Sequence, residues 1–191
     1  MEPFTDRKEE IIQTAALLFN TMGYKKVTMR VLATEIGIKA ASLYNHIDSK
    51  QEILSHIILD LSEQFTSNMD TVTKTDLSPV GKLKNIITSH IDITLNNPNG
   101  MASLQNDWMY LEEEHLPYYK KMRREYEENL RQIIKQGITQ GEIKNKNPEI
   151  ILFSILTSLR SLYIWYSRQK EMKKDDLKAD IIDVLLYGIC L

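Results

Sequence analysis

Apolar residues recur at helical spacing along almost the whole chain, and no stretch alternates as a strand would. The pattern predicts about nine helices. The first spans Thr5 to Thr21, with Ile12, Ala15, Ala16 and Phe19 inward and Gly23 after it. The second starts at Thr28, a hydroxyl N-cap, buries Leu32, Ala33 and Ile36, and stops at Gly37, the residue type suited to a left-handed C-terminal position. The third runs from Lys39 to Ile47 with Leu43 and Ile47 on one face. The fourth begins at Lys50 behind a cap at Asp48 or Ser49 and reaches Asn68. Polar residues 70–78 then read as a linker. Further helices are expected from Pro79 to Asn96, Gly100 to Glu113, Pro117 to Gln140, Pro148 to Gln169 with Asn147 as cap, and Asp175 to Ile189. The fold class is therefore all-α: an N-terminal three-helix unit over 1–50, a bridging helix over 50–68, and a helical bundle over 69–191.

Composition narrows the classes. The chain has 191 residues, 42 % hydrophobic and 26 % charged, which is ordinary for a globular protein. Five prolines and seven glycines are too few for an all-β chain. The charged N-terminus argues against a signal peptide, and no apolar run is long enough for a membrane span. The one cysteine, Cys190, rules out an internal disulfide or a cysteine-rich metal site and fits a reducing cytoplasm. The acidic run Glu112 to Glu114 beside His115 lacks metal-binding spacing and reads as a solvated helix end, so no metal or cofactor is expected. The histidines are scattered, and no nucleophile elbow or Gly-rich phosphate loop occurs. An enzyme is not expected.

Helix, Gly-containing turn and second short helix over Thr28 to Lys50 have the layout of a helix-turn-helix, which sets one helix in the DNA major groove. The outward set suits DNA. Lys39 can donate to a guanine edge or a phosphate. Ser42 and Asn45 can bond base edges, and Ala40 or Ala41 can meet a thymine methyl. Thr28, Tyr44, His46 and Lys50 are placed for phosphates. Arg30 can reach a base or the backbone. From Met22 to Lys50 five Lys or Arg stand against two acidic residues, while the whole chain carries a net charge of −2. That is a local positive footprint on a slightly acidic protein.

The first sixty residues resemble the DNA-binding domain of the TetR family of transcriptional repressors. The likeness runs through Ile11-Ile12-Gln13-Thr14-Ala15-Ala16-Leu17-Leu18-Phe19, Gly23-Tyr24, Val27-Thr28, Leu32-Ala33, Ile36-Gly37, Ser42-Leu43-Tyr44-Asn45-His46-Ile47 and Ser49-Lys50. Ile47 departs from the phenylalanine more frequent there, a core change. The resemblance implies that Lys39, Ala40, Ser42 and Tyr44 face the major groove and that Thr28, Tyr44, His46 and Lys50 touch phosphates. It also implies a dimer built from the last two helices.

The helix from Ile150 to Tyr166 is apolar on nearly every face, so one face needs a partner beyond its own core. A second copy supplies it through a twofold interface that includes the ninth helix, and two readers then match a palindromic operator. Aromatics concentrate in the rear domain. Trp108, Tyr126, Phe153 and Tyr163 are candidates to line an effector pocket, with core packing as the competing reading of each. Arg160, the only charge between Glu149 and Arg168, requires an anionic partner, either a protein acid in the dimer or a ligand. Residues 126–166 are also similar to the rear domains of TetR regulators of lipid and acyl-CoA metabolism. That implies a fatty-acyl or CoA-type effector, whose phosphates the run Lys120, Lys121, Arg123, Arg124 would meet unless it is a solvated face paired with Glu125, Glu127 and Glu128. The functional expectation is a small-molecule-responsive DNA-binding repressor. The alternative is a helical adaptor or dimeric ligand-binding protein without DNA affinity, which leaves the Thr28–Lys50 face unexplained.

Overall fold

The computed structural model describes residues 7–169 and 172–187. The expected helix start at Thr5, the end at Ile189 and the Cys190 thiol lie outside the described residues. Among the described residues the chain forms nine α-helices: α1 Arg7–Met22, α2 Met29–Ile36, α3 Ala40–Leu43, α4 Lys50–Thr73, α5 Pro79–Asn96, α6 Pro98–Asn106, α7 Leu116–Thr139, α8 Pro148–Tyr166 and α9 Lys174–Tyr187. Short 3-10 turns cover Tyr24–Lys26 and Trp108–Tyr110.

The three largest departures from the expected boundaries each have a physical reason. The third helix ends at Leu43 rather than Ile47 because Asn45 and His46 donate to the carbonyls three residues back, of Ser42 and Leu43, which tightens the chain into a 3-10 exit. α4 continues to Thr73 because Phe65, Met69 and Val72 extend its buried stripe across part of the expected linker. The expected helix to Glu113 breaks at Asp107, which caps α6 and begins the 3-10 turn.

Two compact units result. One comprises residues 1–61 and 97–119; its core holds Ile11, Ala15, Phe19, Leu32, Leu43, Ile47, Ile53, Leu54 and Met101. α1 packs there against both α2 and α6. The sequence grouped residues 97–119 with the rear bundle; in the structure they pack with the reader. The start of α4 is held by a reciprocal cap: Ser49 Oγ accepts from the Glu52 N–H at 3.0 Å, and Glu52 Oε2 accepts from the Asp48 N–H at 2.7 Å. Lys8 Nζ pairs with the other Glu52 oxygen at 2.8 Å.

The second unit comprises residues 62–96 and 120–191. α5 packs on α8 and α9, and Leu83, Ile86, Ile87, Ile91, Leu130, Ile134, Ile155 and Leu159 are buried in it. Asn147 caps α8 as expected, its side chain accepting from the Glu149 N–H at 3.0 Å. Gly137 is required by close approach: a Cβ there would lie 2.5 Å from Ile143 Cδ1.

Candidate nucleic-acid interface

Local chemistry sets the reader's geometry. Thr28 Oγ1 accepts from the Val31 N–H at 3.2 Å and starts α2. Gly37 ends it at φ 76°, where the Gly37 and Ile38 N–H groups return to the Thr34 and Ala33 carbonyls at 3.1 and 2.9 Å. That turn redirects the chain into α3. Leu43 and Ile47 are buried, which fixes α3 on the core and turns the rest outward.

The outward set matches the sequence reading at most positions. Arg30, Lys39, Tyr44, Asn45 and His46 are exposed, and Ala40 and Ser42 half-buried. Tyr44 keeps 52 % of its surface open although it is aromatic. Thr28 is exposed with its hydroxyl committed to the cap. Lys50 is the exception. Its ammonium donates to the Tyr24 and Val27 carbonyls at 2.9 and 2.8 Å and lies 4.2 Å from the centre of the Tyr24 ring. Partial burial holds its pKa below the usual lysine value, against the pull of Asp107. Two of its three N–H donors are thus engaged within the chain, and Lys50 ties the start of α4 to the turn before α2.

Around this tie the unit carries a polar and aromatic cluster. Tyr24 stacks on Tyr110 at 5.4 Å, and Gln51 Nε2 donates to the Tyr110 carbonyl at 2.8 Å. Burial pushes the Asp107 carboxyl up to about 6, against the pull of Lys50.

In the second unit the candidate ligand residues are only partly brought together. Tyr126 and Tyr163 are buried. Arg160 pairs with Glu127 of the same chain at 2.6 Å, so an intrachain acid supplies the expected anion. Glu127 also accepts from Arg123 at 3.3 Å, and these two guanidinium groups hold its carboxyl below the usual range despite burial. Phe153 stands on the open side of α8 with 67 % exposure, and Trp108 belongs to the first unit, where it packs on Tyr119 at 5.6 Å.

Sequence reasoning missed His90 and Thr94. Both are buried on α5, and His90 Nε2 and Thr94 Oγ1 have no hydrogen-bond partner. The signal was available: Leu83, Ile87, His90 and Thr94 share the apolar stripe of that helix at steps of three or four.

An all-helical chain with a capped helix-turn-helix and an outward polar reading face has the build of a DNA-binding regulator. Two family profiles agree. "Bacterial regulatory proteins, tetR family" matches residues 11–57, and "Tetracyclin repressor-like, C-terminal domain" matches residues 76–189. The chain belongs to the TetR family of transcriptional regulators; it is not an enzyme. It is 21 % identical over 185 residues to the HTH-type transcriptional repressor KstR2 of Rhodococcus jostii, covering 96 % of this chain and 91 % of that protein. The ketosteroid transcriptional regulator KstR2 of Mycobacterium tuberculosis superposes with a TM-score of 0.91 at 17 % identity, over 99 % of this chain and 97 % of the other. AibR in complex with isovaleryl coenzyme A and operator DNA superposes with a TM-score of 0.79 at 22 % identity, over 95 % and 98 %.

Proposed function

We propose that this protein is a homodimeric repressor that leaves a palindromic operator when a small molecule occupies its rear domain. The observation that carries the reading is the α2–turn–α3 face, where Thr28 and Gly37 fix the turn and Arg30, Lys39, Ala40, Ser42, Tyr44, Asn45 and His46 stand outward or half-open. Lys39, Ala40, Ser42 and Asn45 read base edges; Thr28, Tyr44, His46 and the remaining N–H of Lys50 meet phosphates. Residues 1–50 bind DNA, 50–68 bridge, and 69–191, apart from the 97–119 segment that packs with the reader, hold the effector and the dimer contact.

The dimer reading rests on α8 and α9. Ile150, Phe153, Ile164 and Trp165 are exposed on α8, with Ser154, Thr157, Ser158 and Ser161 between them. Val184 and Tyr187 of α9 are 75 % and 78 % exposed. Small residues flanked by large apolar ones allow two helices to approach closely, and a second copy presents the complementary stripe. AibR, with isovaleryl coenzyme A and operator DNA, supports an effector of acyl or CoA type. The ligand acts only through its different affinity for the DNA-competent and released shapes.

The test is a gel shift on the DNA upstream of the protein's own gene. Salt-dependent binding is expected. Tyr44→Ala and Lys39→Ala should weaken it with dimerisation intact; unchanged binding in both variants would remove the DNA-reading assignment.

A further inference from the structure

The second unit holds an unusual polar group in an apolar core. His90 is 5 % exposed and Thr94 fully buried, one turn apart on the same face of α5. His90 lies against Phe65 of α4, ring centres 4.5 Å apart, and its Nδ1 is 3.5 Å from the Tyr126 hydroxyl of α7. Its Nε2 and the Thr94 hydroxyl meet no partner. Each buried, unsatisfied polar atom costs about 1–3 kcal/mol, so native chains retain few unless another molecule completes them.

We propose that His90, Thr94 and Tyr126 form the polar end of the effector site, holding one uncharged carbonyl oxygen attached to an apolar chain. The proposal rests on the small-molecule-responsive reading above and names the chemistry the site takes. A cation finds no carboxylate at these three groups. An anion would need a charged imidazole or an unengaged guanidinium. Burial and the Arg160 charge hold His90 neutral, with its pKa lowered to about 3, and Arg160 is engaged by Glu127. A neutral imidazole has one donor and one acceptor nitrogen. With Tyr126 donating to Nδ1, the proton sits on Nε2 and points a donor at a carbonyl oxygen. The Thr94 hydroxyl supplies a second donor, and the Phe65 ring lies against the imidazole as an apolar neighbour. A ketone and an acyl thioester share this chemistry.

The test is calorimetric titration of the full chain with butyrophenone, with its carbonyl-free counterpart butylbenzene, and with octanoyl coenzyme A. We expect butyrophenone or octanoyl coenzyme A to bind, whichever the site's length admits, and butylbenzene to bind at least tenfold more weakly. His90→Phe combined with Thr94→Val should remove that discrimination. Thr94→Val alone, the milder change, should raise Tm without ligand and lower carbonyl affinity severalfold. Equal affinity for ketone and hydrocarbon, no binding of either carbonyl compound, or an ordered water on Nε2 that neither displaces, would each overturn the proposal. Gel shifts on the same samples separate the two readings: lost DNA binding with discrimination intact removes the regulator and leaves the carbonyl site standing.

Discussion

Lys50 Nζ lies 2.8 Å from the carbonyl oxygen of Val27, the residue before the Thr28 cap, so the first residue of α4 is fastened to the chain that starts the reader. A second bond to the Tyr24 carbonyl and the face of the Tyr24 ring complete the fastening. Charged donors make the stronger class of hydrogen bond, and this one group serves two carbonyls. Lys50→Met should therefore destabilise the protein by about 1–3 kcal/mol in urea titration. Any loss of DNA affinity should track that loosening, and a fall of about one in the salt slope of binding would report a phosphate contact through the remaining N–H.

The turn at Gly37 predicts a backbone effect. No atom lies within 4 Å of a Cβ added there, so Gly37→Ala meets only the cost of φ near 76°. Thermal unfolding should report a loss of about 1 kcal/mol. Thr28→Ala should cost about the same through its cap. The two should be nearly additive unless the reader melts as one piece.

Asp107 predicts a pH dependence of defined sign. Its carboxyl is raised from 3.8 to about 6 by burial, so the folded state favours the protonated form. That favourable contribution is complete below pH 4 and is lost as pH climbs through 6. Asp107→Asn cannot ionise. Its stability relative to the parent should rise by roughly 1–2 kcal/mol between pH 4 and 7. A difference that stays flat over that range in urea titrations, or falls, contradicts the burial argument.

Arg160 and Glu127 predict a measurable coupling. The pair is 2.6 Å apart, and each side chain keeps about a quarter of its surface open. A double-mutant cycle with Glu127→Gln and Arg160→Met should give a coupling of about 0.5–1.5 kcal/mol, reduced by salt. No coupling would reopen Arg160 as a ligand contact.

The exposed rear stripe predicts oligomeric behaviour. Val184→Glu with Trp165→Glu should shift the protein toward the single chain in light scattering and leave its helical signal unchanged. DNA affinity should then drop at least tenfold, because one reader covers one half-site. A parent protein that stays a single chain at micromolar concentration would refute the dimer.

Much of this molecule is set by neighbours in the chain. Helix placement follows from apolar spacing within a few residues, and Thr28, Gly37, Ser49 and Asn147 act on backbone groups two to five residues away. These features were readable residue by residue, as was the outward face of α3, because burying Leu43 and Ile47 dictates which side chains remain outside. Packing alone decided the rest. Lys50 belongs to the outward set by position, but carbonyls 23 and 26 residues earlier draw its ammonium inward. Residues 97–119 join the reader because α6 lies on α1, a contact between segments some eighty residues apart, of which Asn20 and Asn99 at 2.9 Å are one example. Arg160 finds Glu127, and His90 meets Phe65 and Tyr126, only when separate helices converge. Short-range periodicity and capping carry no information about which distant group will arrive, and burial, charge pairing and unsatisfied atoms are properties of that arrival.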